Sequence, residues 1–185
     1  MKYTLLVALL VLGACKERGV APKRTAVAGT ADQVFGGMDF NIVKNGLRQS
    51  HVIADSAWMY TQRQSSDLKL MKVTMYDSSG AMISTITADK GVYSVRDQML
   101  DARGHVVATS PGGKVLKTEH LIFDSRRNLV TSDSAFTSTS PQGNASGESF
   151  ESDPGFKRVT IVKPKNILQK GKGIRIGGYK GGAAE

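Results

Sequence analysis

The stretch ITADKGVYSVRDQMLDARGHVVA, residues 86–108, constrains the fold of this chain more than any other. From Leu100 onward the even positions are Leu100, Ala102, Gly104, Val106 and Ala108, while the odd ones begin Asp101, Arg103 and His105. A period of two sets one apolar face against one wet face, which is the pattern of a half-buried strand. Helical spacing would align Leu100, Arg103, Gly104 and Val107, and that is no apolar stripe. Upstream, residues 86–93 carry Ile86, Ala88 and Val92 on the even face, interrupted by Lys90. The connecting SVRDQ makes the two runs a hairpin.

The same unit recurs. IADSAWMY, ITADKGVY, KTEHLIF and ASGESF each end on an aromatic, and those aromatics (Tyr60, Tyr93, Phe123 and Phe150) stand 33, 30 and 27 residues apart. Each of the last three precedes a polar turn and another strand-like run, as stacked hairpins sharing one core require. Any all-β chain shows turns at such intervals, so ordinary strand spacing is the competing explanation. PGGK at 111–114 and SRRN at 125–128 are further turn signals. VLKTEHLIFD reads as a strand of mixed parity, and residues 129–136 as the next. In LKLMKVTMYD, Leu68 and Leu70 share one phase while Met71, Val73 and Met75 share the other, which predicts a β-bulge at Leu70 or Met71.

The chain has room for one domain with a substantial core. Aromatics are only 6% of its 185 residues, a composition suited to strands and turns. Its net charge of +9 does not describe a nucleic-acid face, because the segment from Lys157 onward holds eight Lys or Arg against one Glu. The N-terminal MKYTLLVALLVLGAC places Lys2 before an apolar run over 5–12, too short to span a bilayer at roughly 20 residues and ordered like a secretory signal. LGAC, ending at Cys15, resembles a bacterial lipoprotein processing box, and acylation would account for a single Cys that can form no internal disulfide. The expected organisation is a signal peptide over 1–14, an acylated Cys15 and tether over 15–31, a β-domain over 32–163 and a basic, Gly-rich tail over 164–185. Extended at ~3.3 Å per residue, the tether would hold the domain about 50 Å from the bilayer.

The run from Leu68 to Phe136, together with IADSAWMY upstream, resembles the periplasmic LptC family of the lipopolysaccharide export machine. The pieces that carry the likeness are YDSSG, TADKGVY and LDARGHVVATSPGGKVLKTEHLIFD, within a span of about residues 33–162. The resemblance implies an all-β fold: a single open β-jellyroll of stacked antiparallel hairpins. It also implies an intermediate carrier that accepts lipopolysaccharide, by its lipid A acyl chains, from an inner-membrane ABC transporter and passes it to a periplasmic bridge jellyroll protein. Well-known members are held by a transmembrane helix, whereas this chain offers a short signal and Cys15. Lys16 stands where some bacteria use Asp for inner-membrane retention.

In such a fold, Ile86, Ala88, Val92, Leu100, Ala102, Val106, Ala108 and Leu121 are expected to line an apolar trough. From alternation alone, these residues suit a closed sandwich core better, where Ala and Gly also occur; the resemblance favours the trough. Arg158, Val159, Thr160, Ile161 and Val162 form the candidate edge for docking the bridge protein, and VFGGMDFNI over 34–42 would face the transporter. No cofactor, catalytic residue or metal is expected. His51, His105 and His120 lack metal-ligand spacing, and GGK at 112–114 lacks the rest of a phosphate loop. The rival readings are an enzyme, a structural or outer-membrane β-sandwich lipoprotein that moves no lipid, and a soluble-bridge homologue. The resemblance sets the chain on the periplasmic face of the inner membrane rather than the outer. Separation of the two membranes should recover it in the inner fraction; recovery in the outer fraction would overturn that assignment.

Overall fold

A computed structural model describes residues 30–169, and every regular element within them is a strand. The signal peptide, Cys15, most of the tether and the tail beyond Gln169 lie outside the described residues. The strands are β1 (Gln33–Lys44), β2 (Leu47–Tyr60), β3 (Ser65–Tyr76), β4 (Met82–Ser94), β5 (Met99–Thr109), β6 (Val115–Asp124), β7 (Leu129–Ser132), β8 (Phe136–Ser140), β9 (Gly143–Ser152) and β10 (Val159–Gln169). They form one sheet of antiparallel pairs in which neighbours in space are mostly neighbours in the chain. β7 and β8 are two halves of one strand, since both pair with β6 on one side and β9 on the other. The run expected over 129–136 is broken because the Ser132 hydroxyl accepts the Ser134 N–H at 3.2 Å, a local bond that competes with the ladder.

One transverse line organises the sheet. On either side of it inward positions recur every two residues, but across it they are three apart: Ala54 and Ala57 on β2, Leu68 and Met71 on β3, Ala88 and Gly91 on β4, Thr118 and Leu121 on β6, Gly147 and Phe150 on β9. These positions pair in register, Ala54 with Met71, Met71 with Ala88, and Leu68 with Gly91, so the switches align into a crease. On β5 the step is four, from Ala102 to Val106, and the register shifts by one against both β4 and β6. The inserted residue lies at Gly104–His105, both at positive φ. The phase slip at Leu70 is therefore real, but the bulge expected there is not: β3 keeps a constant register past Leu70, which absorbs the change at φ +49, and the bulge sits on β5.

Folding along this crease turns the inner faces of both half-sheets onto one apolar core. Val52, Val73, Ile86, Val106, Leu116, Leu121 and Val130 are fully buried there. Full burial of such side chains contributes about 1.5–3 kcal/mol each. Phe136 and Phe150 meet edge to face, with ring centroids 4.9 Å apart. Two glycines let the layers close. A Cβ at Gly91 would lie 2.2 Å from the Met71 sulfur, and one at Gly147 would lie 2.6 Å from Ile161 Cγ2 and 3.2 Å from the Val162 carbonyl oxygen.

The domain extends past its expected end at 163. β10 runs on to Gln169, with a register shift between Pro164 and Asn166. Lys163 at φ +48 and the following proline break the alternation, which hid the continuing strand.

Because the Val162 backbone cannot retreat like a side chain, Gly147→Ala should lower stability by about 1–3 kcal/mol through overpacking. Gly36→Ala, with nothing within 4 Å of the added carbon, should stay within about 0.5 kcal/mol of the parent. Urea unfolding of the two variants checks both.

Candidate lipid-facing interior

Seven of the eight side chains assigned to the trough (Ile86, Ala88, Leu100, Ala102, Val106, Ala108 and Leu121) face inward together and are no more than 7% exposed. Val92 does not join them. The three-residue step across the crease brings Gly91 inward and leaves Val92 on the outer surface, 41% exposed. The seven pack against one another within the core, so this interior is filled by side chains rather than left as an empty gutter. Alternation identifies which residues face in, but not whether the opposite layer fills the space between them.

The interior comes nearest to the surface at the two free ends of the strand order. β1 and β10 end the strand order, and each is hydrogen-bonded to one neighbour only. Their inward side chains, Met38, Phe40 and Ile42 on β1 with Val159 and Ile161 on β10, are partly buried against the core. Tyr93 stacks beside Phe40 at 5.8 Å, and burial pushes its phenol pKa upward. Lys44, at the end of β1, donates to the Ser125 carbonyl at 3.4 Å and ties that corner to the β6–β7 turn. Of the expected docking edge, Val159 and Ile161 face the core, Thr160 and Val162 face out, and Arg158 precedes the strand. A groove of about 280 Å³ between Phe136, Ala145, Val159, Ile161 and Ile167 adjoins this edge.

Outside the crease, the repeated segments place an acid at the same level each time: Asp55, Asp89, Glu119 and Glu148. Asp89 meets His105 Nδ1 at 2.6 Å, Glu119 accepts the His105 N–H at 3.3 Å, and Glu148 pairs with Lys163 at 3.2 Å. Hydrogen bonding to Asp89 raises the His105 pKa. The sequence reading aligned these segments on their aromatics and missed the acid. The A-D-x-A, A-D-x-G, T-E-x-L and G-E-x-F pattern was the available signal.

A second polar cluster spans the broken strand. His120 is nearly buried and reaches Asp133 through Nδ1 at 2.7 Å and Asp101 through Nε2 at 3.1 Å. Both contacts are hydrogen bonds at once when the imidazole carries both protons. Arg103 forks onto Asp101 with two bonds of 2.9 Å. Thr118 donates to the Ala135 carbonyl at 3.1 Å, which closes the gap between β7 and β8. These groups brace the crease beside a groove of about 400 Å³ lined by His105, Val106, Thr118, Ala135 and Phe136, and no cluster of three or more His, Cys, Asp or Glu fit to hold a metal occurs among the described residues.

One antiparallel sheet, creased onto a single apolar core and left unjoined at its first and last strands, is a β-jellyroll of the open type. The chain matches the family model for lipopolysaccharide-assembly, LptC-related proteins over residues 4–163, and it belongs to that family. The crystal structure of LptH, the LptA-homologous periplasmic component of the lipopolysaccharide transport device of Pseudomonas aeruginosa, is similar with a TM-score of 0.53. That likeness covers 66% of this chain and 95% of the other at 13% identity, and it shows a shared fold. No curated protein matches the chain.

The bond from His120 holds the Asp133 carboxyl below the usual carboxylate range. A carboxyl depressed on folding stabilises the protein above its unfolded pKa of about 4, and the gain is lost as pH falls through the folded value. Asp133 is largely exposed, so solvent screening limits the gain to about 0.5 kcal/mol. Asp133→Asn should lower the urea midpoint near neutral pH, with the gap closing as pH falls below the usual carboxylate range.

Proposed function

We propose that this domain is an intermediate carrier in lipopolysaccharide transport, anchored to the periplasmic face of the inner membrane through an acylated Cys15. It accepts lipopolysaccharide from an inner-membrane ABC transporter and passes it to a periplasmic bridge protein of similar fold. The observation that carries this reading is the combination of family membership with a sheet that never closes. β1 and β10 each keep an unpaired edge, and apolar inner-face side chains lie half-covered on each of them.

The energetics favour an exchange rather than a void. Exposing an acyl chain of roughly a dozen carbons to water costs on the order of 10 kcal/mol, at about 0.8 kcal/mol per CH₂. A tail entering between the half-sheets trades contacts among side chains for contacts with lipid, and so keeps the inner faces dry. The short inner residues Ala54, Ala57, Ala88, Ala102 and Ala108 leave the tail less to displace than Leu or Phe would. Unpaired edges also suit strand addition, the recognition mode by which one sheet continues another. β1 would face the transporter and β10 the bridge, so that head-to-tail stacking joins successive interiors. The domain has no nucleotide site among its described motifs, and direction would come from the transporter.

The filled core equally suits a β-sandwich lipoprotein that moves no lipid, and cross-linking separates the two. Photo-cross-linkers at Phe40 on the β1 edge and Val106 inside should capture lipopolysaccharide in cells, while one at Val92 on the outer face should not. Equal labelling at all three positions, or none at any, overturns the carrier reading.

A further inference from the structure

The connection from β9 to β10, residues 153–158, is irregular backbone driven into the core. Pro154, Gly155 and Phe156 are buried, with Phe156 only 2% exposed, although connecting loops ordinarily run over the surface where water serves their polar groups. This loop is folded upon itself. The Asp153 carboxylate accepts the N–H groups of Gly155, Lys157 and Arg158 at 3.0, 3.1 and 2.9 Å, and the Asp153 carbonyl accepts that of Phe156 at 2.9 Å. Two side-chain bonds tie it to other strands: Ser84 Oγ donates to the Pro154 carbonyl at 2.5 Å and Lys114 Nζ to the Phe156 carbonyl at 2.5 Å. Grooves of about 420 and 500 Å³ flank it and share Asp77, Ile83, Gly155 and Lys157 in their walls, so the loop partitions them.

Two features mark this as an arrangement built to change. Phe156 holds φ +54, a strained conformation for a bulky side chain; the other non-glycine residues at positive φ serve tight turns, the crease or the β10 irregularity. Beside Ser84 on β4, which holds the loop, Met75 on β3 and then Ser50 on β2 stand in register, so that Ser50 lies about 10 Å from Ser84. Ser50 is fully buried, and its hydroxyl has no hydrogen-bond partner among the described residues. A buried orphan hydroxyl is unfavourable, and a polar atom arriving beside it removes that cost.

We infer that residues 153–158 form a plug that swings out as a unit and opens an acyl-chain portal at this end of the jellyroll, where Ser84 and, two strands away, Ser50 each meet the carbonyl of a different acyl ester or amide. The inference rests on the carrier reading and adds its entrance. Release breaks the two tethering bonds, relaxes the Phe156 backbone and frees the Ser84 hydroxyl. The tail takes the slot of the Phe156 ring, and its linkage carbonyl accepts from the freed Ser84 hydroxyl.

The test uses the full-length chain in a Cys15→Ser background. Phe156→Cys should react with a maleimide at least tenfold faster than Leu121→Cys, because the plug opens while the core stays shut; equal rates mean exposure by global unfolding and overturn the plug. Ser84→Cys/Pro154→Cys, joined by oxidation, should capture purified lipopolysaccharide at least tenfold more slowly than its reduced form. Equal capture in both forms overturns the portal and leaves the carrier reading standing. Capture in neither form, when the parent also captures none, overturns the carrier reading and the portal's lipid role together. Ser50→Ala, which removes the orphan hydroxyl without a cavity, should keep full stability and weaken capture about threefold or more; undiminished capture overturns the role given to Ser50.

Discussion

The aligned three-residue step across the crease is the constraint on which the rest of this structure depends. A pleated strand shows alternate side chains to opposite faces, so a flat sheet with this sequence would divide its apolar residues between two surfaces. By changing phase at the same level in β2, β3, β4, β6 and β9, the sheet recovers a single inner face after it bends. The extra residue on β5 and the interruption between β7 and β8 keep those strands level with neighbours that turn within three residues. Acids on the outer side of the bend then hold the irregular backbone, as Glu119 does for the His105 N–H.

This architecture places lipid chemistry and structural stability on the same residues. The side chains that would meet an acyl chain are those that hold the layers together when no lipid is present, and they are packed without a gutter between them. A carrier working as proposed would have no permanent lipid cavity to keep dry. Its weak places are the two free edges, one at β1 and one at β10, and the end closed by Phe156, where the inner surface is covered by partly buried side chains or by one loop. The braced crease, with His120 bridging Asp101 and Asp133, is the part that must stay fixed if the half-sheets are to part and close again.

Much of the fold was legible in the sequence because strands and turns are local. The Leu100–Ala108 alternation, the SVRDQ, PGGK and SRRN turns and the change of phase near Leu70 all have structural counterparts. What escaped was set by neighbouring strands. Val92 followed the parity of Ile86 and Ala88, but the crease lies between them, so extrapolating one phase through Asp89 and Lys90 put it on the wrong face. β10 continues beyond Lys163 because β9 offers partners as far as Gly143, a pairing that no local pattern records. Nor could alternation distinguish an empty trough from a packed one, since that depends on the depth to which opposing side chains interdigitate.

The nearly consecutive strand order also bears on how the domain comes into being. Almost every ladder joins segments adjacent in the chain, so loop-closure entropy stays small at each step and hairpins can form in turn as the polypeptide is made. The exposed edge of the growing sheet is at each stage the template for the next strand, which shortens the time it is available for aggregation. Phe156 and β10 come last, so the newborn sheet acquires its stopper only after the rest of the barrel-like wall is standing.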